Sequence, residues 1–484
     1  MPARLVRRLP STLQPSDHPY LGGAWAPTTE EWDADDLEVE GQLPRDLGGT
    51  YLRNAENPLQ QPLGRYHPFD GDGMVAAIAF EDGRARFTNR FVRTRGLLAE
   101  QEAGRALWSG IAEMPPKSER PGAGAHGFLK DSSSTDVVVH AGRALTSFFQ
   151  CGDLYELDLR TLETCGAAAW NGRFPAWGVS AHAKVDRQSG ELLWFAYSRQ
   201  APFLKFGVVD AAGVLTREVD VPLPGPRLPH DMAFTERFAI LNDFPLFWDE
   251  GLLAKNLFVA RMHDLPTRFA VVPRRGPSTE ARWFEASPTY ALHFVNAWEE
   301  GETITMIGYR QRVPLPKPLE GVHKNHALLM ALIDFDSLRP QLWRWQLDLA
   351  SGRTTEGPLD DSVIEFGTFD PRRQMKPTRF VYSATGKPGW FLFDGLAKHD
   401  LRSGAGHFVK FGEGVFGSEA PFAPRLGGTS EDDGYLLTFV TDPRAQRSAC
   451  WVYAAQDLGS GPIAKIKLPV RLPSGTHACW TPLT

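Results

Sequence analysis

The sequence predicts an all-β fold, a seven-bladed β-propeller with helical and loop excursions capping one face, and three observations predict it. Glycine and proline, 46 and 38 of 484 residues, punctuate the whole chain instead of collecting in one linker, which calls for many short elements joined by many turns. Runs of alternating apolar residues bounded by turn signals recur from about Leu37 onward. No break in composition divides the chain, and an all-β chain of this length must manage its sheet edges, which radial repetition does. Seven blades would take about 69 residues each. No clean internal repeat is visible, so on pattern alone two stacked sandwiches stay open as the alternative. The expected division is an N-terminal extension over residues 1–36 and a single propeller over residues 37–484.

Taken in order, residues 49–53 and 74–80 read as strands, and Asp82-Gly83 turns the chain into a further strand at residues 85–88. Residues 136–149 alternate around Gly142, residues 154–158 run into a turn, and residues 191–197 follow the turn at 186–190. Two segments read as helical. Residues 92–110 place Arg93, Arg95, Glu100, Glu102 and Arg105 on one face with a 3.6-residue period, and residues 244–257 are apolar and aromatic with few β-branched side chains. Residues 114–126, rich in Pro, Gly and charge, read as a loop.

Composition excludes several functions. The apolar fraction is 42% and the charged fraction 23%, and no stretch approaches the roughly 18 uninterrupted apolar residues of a spanning helix. Residues 1–17 lack the apolar core and small-residue cleavage site of a signal peptide, so secretion by that route is not expected. Net charge is −6 with both signs interleaved, which leaves no footprint for nucleic acid. Cys151, Cys165, Cys450 and Cys479 show no CxxC spacing; free thiols in a reducing compartment, the cytoplasm, are expected.

Four histidines, His182, His230, His293 and His477, each lie in a short stretch that reads as a strand end. Their intervals of 48, 63 and 184 residues are near one, one and three blades, so each would project from a different blade into the central channel. Neutral imidazoles drawn from four strands suit a borderline divalent metal. Four neutral nitrogen donors leave the ion its full charge and one or two coordination positions vacant. Zinc is normally satisfied by a tetrahedron and performs no one-electron chemistry. The other histidines, including His67, His126, His140 and His326, lack such contexts.

The four contexts read SAHAKVD, HDMAFTERFAILND, HFVNAW and THACW. They are joined by GQLPRDLGGTYLRNAENP and YHPFDGDGMV near the N-terminus and by EAPFAPR at residues 419–425 ahead of EDDGY. In this order, from about residue 37 to the C-terminus, these segments resemble the carotenoid cleavage oxygenases, non-haem iron enzymes that split alkenes with dioxygen. The resemblance implies a seven-bladed propeller with one Fe2+ on its axis, held by His182, His230, His293 and His477. It also implies that glutamates orient three of the rings: Glu365 on His293 and Glu419 on His477. The third, for His230, falls where this chain reads Ser147 to Gly152. Alignment from downstream places Gln150 there and alignment from His140 places Phe149. Gln150 is preferred, because its amide carbonyl can accept an imidazole N–H. Thr135 matches a threonine whose methyl group crowds one vacant coordination position.

The same resemblance bears on substrate. Phenol-cleaving members carry a lysine before the orienting glutamate and a tyrosine; here Phe149 stands in that place and no tyrosine lies between Leu107 and Phe128. A polyene among aromatic walls fits better, with Phe149, Phe244, Phe247, Trp248 and Phe294 as tunnel candidates among 30 Phe and 14 Trp. The segment from Phe244, with Leu252, Leu253, Leu257 and Phe258, would line the tunnel mouth and, if exposed, touch a bilayer surface. The expected activity is Fe2+-dependent cleavage of a carotenoid or apocarotenoid double bond by O2 into two carbonyl products, with no obligate protein partner. Its alternatives are the same chemistry on a stilbene or vinylphenol, and a propeller that binds or isomerises a lipophile without oxygen. The run GEGVFG at residues 412–417 fits a dinucleotide fingerprint only by letter, since no βαβ unit surrounds it.

Overall fold

The computed structural model describes residues 3–14, 18–111, 113, 118–120, 129–255, 259–277, 280–315, 317 and 335–483. Short turns can join only antiparallel neighbours, and the chain repeats one such meander around an axis to form seven blades. Blade two runs outward from Asp136–His140 through Arg143–Ser147 and Tyr155–Asp158 to Thr164–Ala167. Blade three begins at Lys184–Val185, blade four at Ala233–Phe234, blade five at Ala291–Glu300, blade six at Ile364–Thr368 and blade seven at Phe422–Pro424. These first strands stand nearest the axis.

Blade one closes the ring. Its innermost strand is the C-terminal Ala478–Pro482, which pairs with Gly49–Arg53, and Met74–Glu81 and Arg84–Phe91 follow outward. Val39–Gly41, the third strand of the chain, instead adds to the outer edge of blade seven, on Pro462–Lys467. Both chain ends therefore lock the circle. Of the stretch expected as a separate extension, Glu30–Ala34 and Arg4–Arg8 are the two outermost strands of blade one. The boundary expected at residue 36 thus falls inside the pairing of the propeller. Ion pairs fasten it: Arg90 to Asp33 at 2.8 Å and Arg93 to Glu31 at 2.7 Å.

Blades stack face to face, so their middle strands are buried on both sides and read as continuous apolar runs. Leu192–Tyr197 is buried at every position, and Trp194 and Trp345 are wholly enclosed. Gly207 lies opposite Trp194, and a Cβ there would come within 2.2 Å of the indole, so only glycine lets that ring fill the layer. The turn at Asp82 and Gly83 has φ of 49° and 73°, the mirror-image geometry that matches strand twist.

The helical expectations fare differently. The segment 92–110 narrows to one helix, Arg95–Ala103, capped by Thr94 Oγ1 accepting the Leu97 N–H and ended by Gly104 at φ 63°. Its buried Glu100 shares Lys130 with Asp72, at 2.8 and 2.7 Å, which docks the helix against the segment leading into blade two. The helix expected over 244–257 is overturned. Leu246–Trp248 and Ala260–Met262 pair as a two-stranded ribbon, with one helical turn at Glu250–Leu253. Consecutive apolar residues suit a strand covered on both faces, and Pro245 cannot donate a helical N–H. Leu257 and Phe258 lie outside the described residues, as do His126, His326 and most of 114–126. Among the described residues no helix is long and apolar enough to cross a membrane.

Candidate metal centre

Each of the four histidines enters an innermost strand. His182 lies just ahead of Lys184–Val185, His230 just ahead of Ala233–Phe234, His293 within Ala291–Glu300, and His477 directly before Ala478–Pro482. They belong to blades three, four, five and one, the steps of one, one and three that their spacing predicts. One ring nitrogen from each lies within 4.8 Å of all the others. His182 Nε2 and His230 Nε2 are 3.2 Å apart. His182 adopts φ 61°, a left-handed conformation that costs a residue with a side chain about 1–3 kcal/mol. Regular pairing on either side sustains it: Ser180 donates its N–H to Phe195 and Lys184 pairs with Leu193.

Three rings are gripped from behind by carboxylates. His293 Nδ1 lies 2.7 Å from Glu365 Oε2, and His477 Nδ1 lies 3.3 Å from Glu419 Oε2. Each glutamate is itself fixed by a backbone donor, Phe366 N–H at 2.6 Å and Ala478 N–H at 2.7 Å. His182 Nδ1 meets Asp136 Oδ2 at 2.9 Å, a partner the sequence reasoning missed. The available signal was its place beside Thr135 at the head of an innermost strand. His230 has no carboxylate partner among the described residues. Gln150, expected on His230, sits buried in the turn after Arg143–Ser147 and makes no hydrogen bond to it among the described residues.

Thr135 is buried, its Oγ1 accepting the Phe149 N–H at 3.1 Å and its carbonyl accepting from Thr476 Oγ1 at 3.4 Å. It is thereby tied to the residue preceding His477. Asp231, next to His230, knits three histidine strands together. Its Oδ1 takes Lys184 Nζ at 2.8 Å and the Met232 N–H at 2.7 Å, and its Oδ2 takes the Phe294 N–H at 2.8 Å.

Burial sets the protonation of the rings. It holds His182 and His293 well below the usual imidazole range and His230 down at about 3, with the neighbouring rings adding repulsion. Burial acts on His477 too, but the hydrogen bond and charge of Glu419, with the charges of Asp136 and Glu56, together outweigh it and raise that ring. Burial also pushes Glu365 well up and Asp136 to about 6. With its Nδ1–H given to Glu365, His293 presents an Nε2 lone pair that is buried and unpartnered. A buried acceptor left unmet is costly, and a cation among the four nitrogens would satisfy all of them. The residues therefore fit a divalent metal that prefers nitrogen.

Two environments adjoin the rings. A cavity of about 280 Å3 borders His182, His293 and His477 and is polar near them, with Asp136, Lys184, Asp231 and Glu419 in its wall. A packed aromatic cluster starts at Phe366, whose ring centroid is 4.7 Å from His293 and 4.7 Å from His477. It continues to Phe393 at 4.7 Å and Phe391 at 6.0 Å, then through Phe69 to Phe149 in two steps of 5.7 Å. Of the tunnel candidates, Phe149 joins this cluster through Phe69. Phe294 alternates with His293 and packs between blades on Phe269 and Trp345, touching only the polar cavity. Phe244 packs on Tyr290 at 5.1 Å and Phe247 stacks on His263 at 3.7 Å; Trp248 is buried in the ribbon. Phe366 was missed, although it adjoins Glu365.

Fold and site together define a β-propeller whose innermost strands bring four histidines together where they could hold a metal ion. The family model described as retinal pigment epithelial membrane protein matches residues 25–482, and the chain belongs to that family, the carotenoid cleavage oxygenases. Isoeugenol monooxygenase from Pseudomonas nitroreducens is 32% identical, the match covering 96% of this chain and 98% of that protein. Apocarotenoid-15,15′-oxygenase from Synechocystis sp. is 31% identical over 97% of this chain and 99% of its own. Among solved structures, lignostilbene dioxygenase from Pseudomonas brassicacearum superposes with a TM-score of 0.85 at 27% identity, covering 98% of this chain and 100% of the other.

Proposed function

We propose that the protein is an Fe2+-dependent dioxygenase that cleaves a carbon–carbon double bond of a carotenoid or apocarotenoid. The single observation that carries the substrate class is the aromatic cluster running from the histidine rings to Phe149. In the overall reaction R–CH=CH–R′ and O2 give R–CHO and R′–CHO. The double bond and the O–O bond break, two carbonyls form, and no outside reductant is consumed. His182, His230, His293 and His477 would hold the ion. Ferrous iron, when bound there, supplies the one-electron chemistry toward dioxygen that zinc lacks.

The remaining work belongs to side chains. Glu365 and Glu419 keep the Nδ1 protons of their rings in place, which fixes tautomer and orientation. Thr135, tied to the neighbour of His477, narrows the approach to the centre. Phe366, Phe391 and Phe69 exclude water and align a flat polyene. Val259, Met262 and Leu265, 38%, 37% and 45% exposed at the ribbon, support peripheral contact with a bilayer that holds a lipid-soluble substrate.

A second reading, cleavage of a stilbene or vinylphenol, draws support from the names of two relatives. Phe149, standing where phenol-cleaving members carry lysine, speaks against it. The test is product analysis by mass spectrometry. Iron-loaded protein given an apocarotenoid under 18O2 should release two aldehydes, each carrying one labelled oxygen. Turnover of vinylphenols alone would establish the second reading, turnover without O2 would establish a lipophile isomerase, and inactivity across the panel would contradict all three.

A further inference from the structure

Three of the four rings have a carboxylate behind them, and the one behind His182 is an aspartate, Asp136. Asp136 is the first residue of the innermost strand of blade two, and His182 introduces the neighbouring innermost strand of blade three. The carboxylate is fixed at both ends. Val137 N–H donates to Asp136 Oδ1 at 2.7 Å, which leaves Oδ2 facing His182 Nδ1 at 2.9 Å. Beneath it, Asn54 Nδ2 donates to the carbonyls of Asp136 and Ser133 at 3.1 and 2.9 Å and clamps the backbone.

His182 is also the ligand candidate whose backbone is held in a left-handed conformation, at φ 61°, so its ring depends most on an outside partner for its aim. His230 presents the opposite case. It is the most exposed of the four rings, and neither Gln150 nor any described carboxylate binds its Nδ1. We propose that Asp136 is the positioning residue for His182, so that the centre is anchored at His182, His293 and His477 and leaves His230 as its loosest arm. The proposal rests on the four-histidine metal centre proposed above.

The experiment titrates metal-free protein with Co2+ alone, reading its visible absorption and its affinity against a chelator. Asp136→Ala is expected to weaken binding about 10- to 100-fold and to shift the absorption bands. Asp136→Asn, which removes the charge and keeps an acceptor oxygen, is expected to fall between Asp136→Ala and wild type. His230→Ala is expected to lose less affinity than His182→Ala. Wild-type affinity and bands in Asp136→Ala, while Glu365→Ala loses both, would overturn the role of Asp136 and leave the metal centre standing. Should Asp136→Ala not fold, unchanged affinity and bands in Asp136→Asn overturn it. Wild-type protein that takes up no Co2+, or His293→Ala that matches wild type, would instead remove the metal centre itself and the role of Asp136 with it.

Discussion

An imidazole binds metal only through an unprotonated nitrogen, and burial supplies that condition at His182, His230 and His293. Orientation is a separate requirement, met by the carboxylates. Glu365→Gln keeps an acceptor oxygen but replaces the carboxyl group with a less basic amide, and an outer partner of this kind is typically worth 10- to 100-fold in metal affinity; a chelator competition should show a loss near the lower end. Away from the centre, burial and the charge of Asp153 push Asp131 up to about 8. The folded protein keeps a proton there that the unfolded chain releases above about pH 4. Stability from this group is therefore full below pH 4 and declines as pH rises to about 8. The buried neutral histidines act in the opposite sense, but only below about pH 6.5. Thermal melts of metal-free protein should fall between pH 6.5 and 8, and Asp131→Asn should remove about 1–2 kcal/mol of that fall. The four histidines were legible because each sits in a distinctive strand-end context. Asp136 was not, since an aspartate opening a strand looks ordinary until the adjacent blade is placed beside it.

Strands were easier to read than the excursions between them. Asp82-Gly83 carries its own turn chemistry, whereas residues 244–257 are apolar in a way that serves a helix or a doubly covered strand equally, and only the contact with Arg227 over Phe247 and the pairing with Ala260–Met262 decide for a ribbon. Between blades, one buried link is Arg274, which leaves the end of Thr267–Pro273 in blade four and reaches Asp186 at 2.7 Å and Glu191 at 2.5 Å in blade three. Arg274 and Asp186 are 6% and 4% exposed, so Arg274→Ala strands a buried carboxylate. Urea denaturation should show a loss of about 3–5 kcal/mol; a loss below 1 kcal/mol would mean that water and the Gln188 and Ser189 N–H donors satisfy Asp186 without the arginine.

At the scale of the molecule, seven outward meanders explain how residues 295 positions apart in sequence meet on one axis. The spacing of the histidines revealed the number of blades between them. It did not reveal that residues 1–36 supply outer strands, because edge strands with polar faces lack the strong alternation that betrays inner ones. Closure by both chain ends makes the ring interdependent: deleting residues 478–484 removes the innermost strand of blade one and should abolish cooperative folding, seen as loss of a single melting transition. Metal binding to the folded state alone should raise stability by about 2.7 kcal/mol at a hundredfold excess over Kd. The most direct test of the centre is X-ray absorption at the iron edge on protein loaded anaerobically with Fe2+. One iron per chain bearing four imidazole nitrogens is the predicted result; iron without that shell, or no stoichiometric iron, would contradict it.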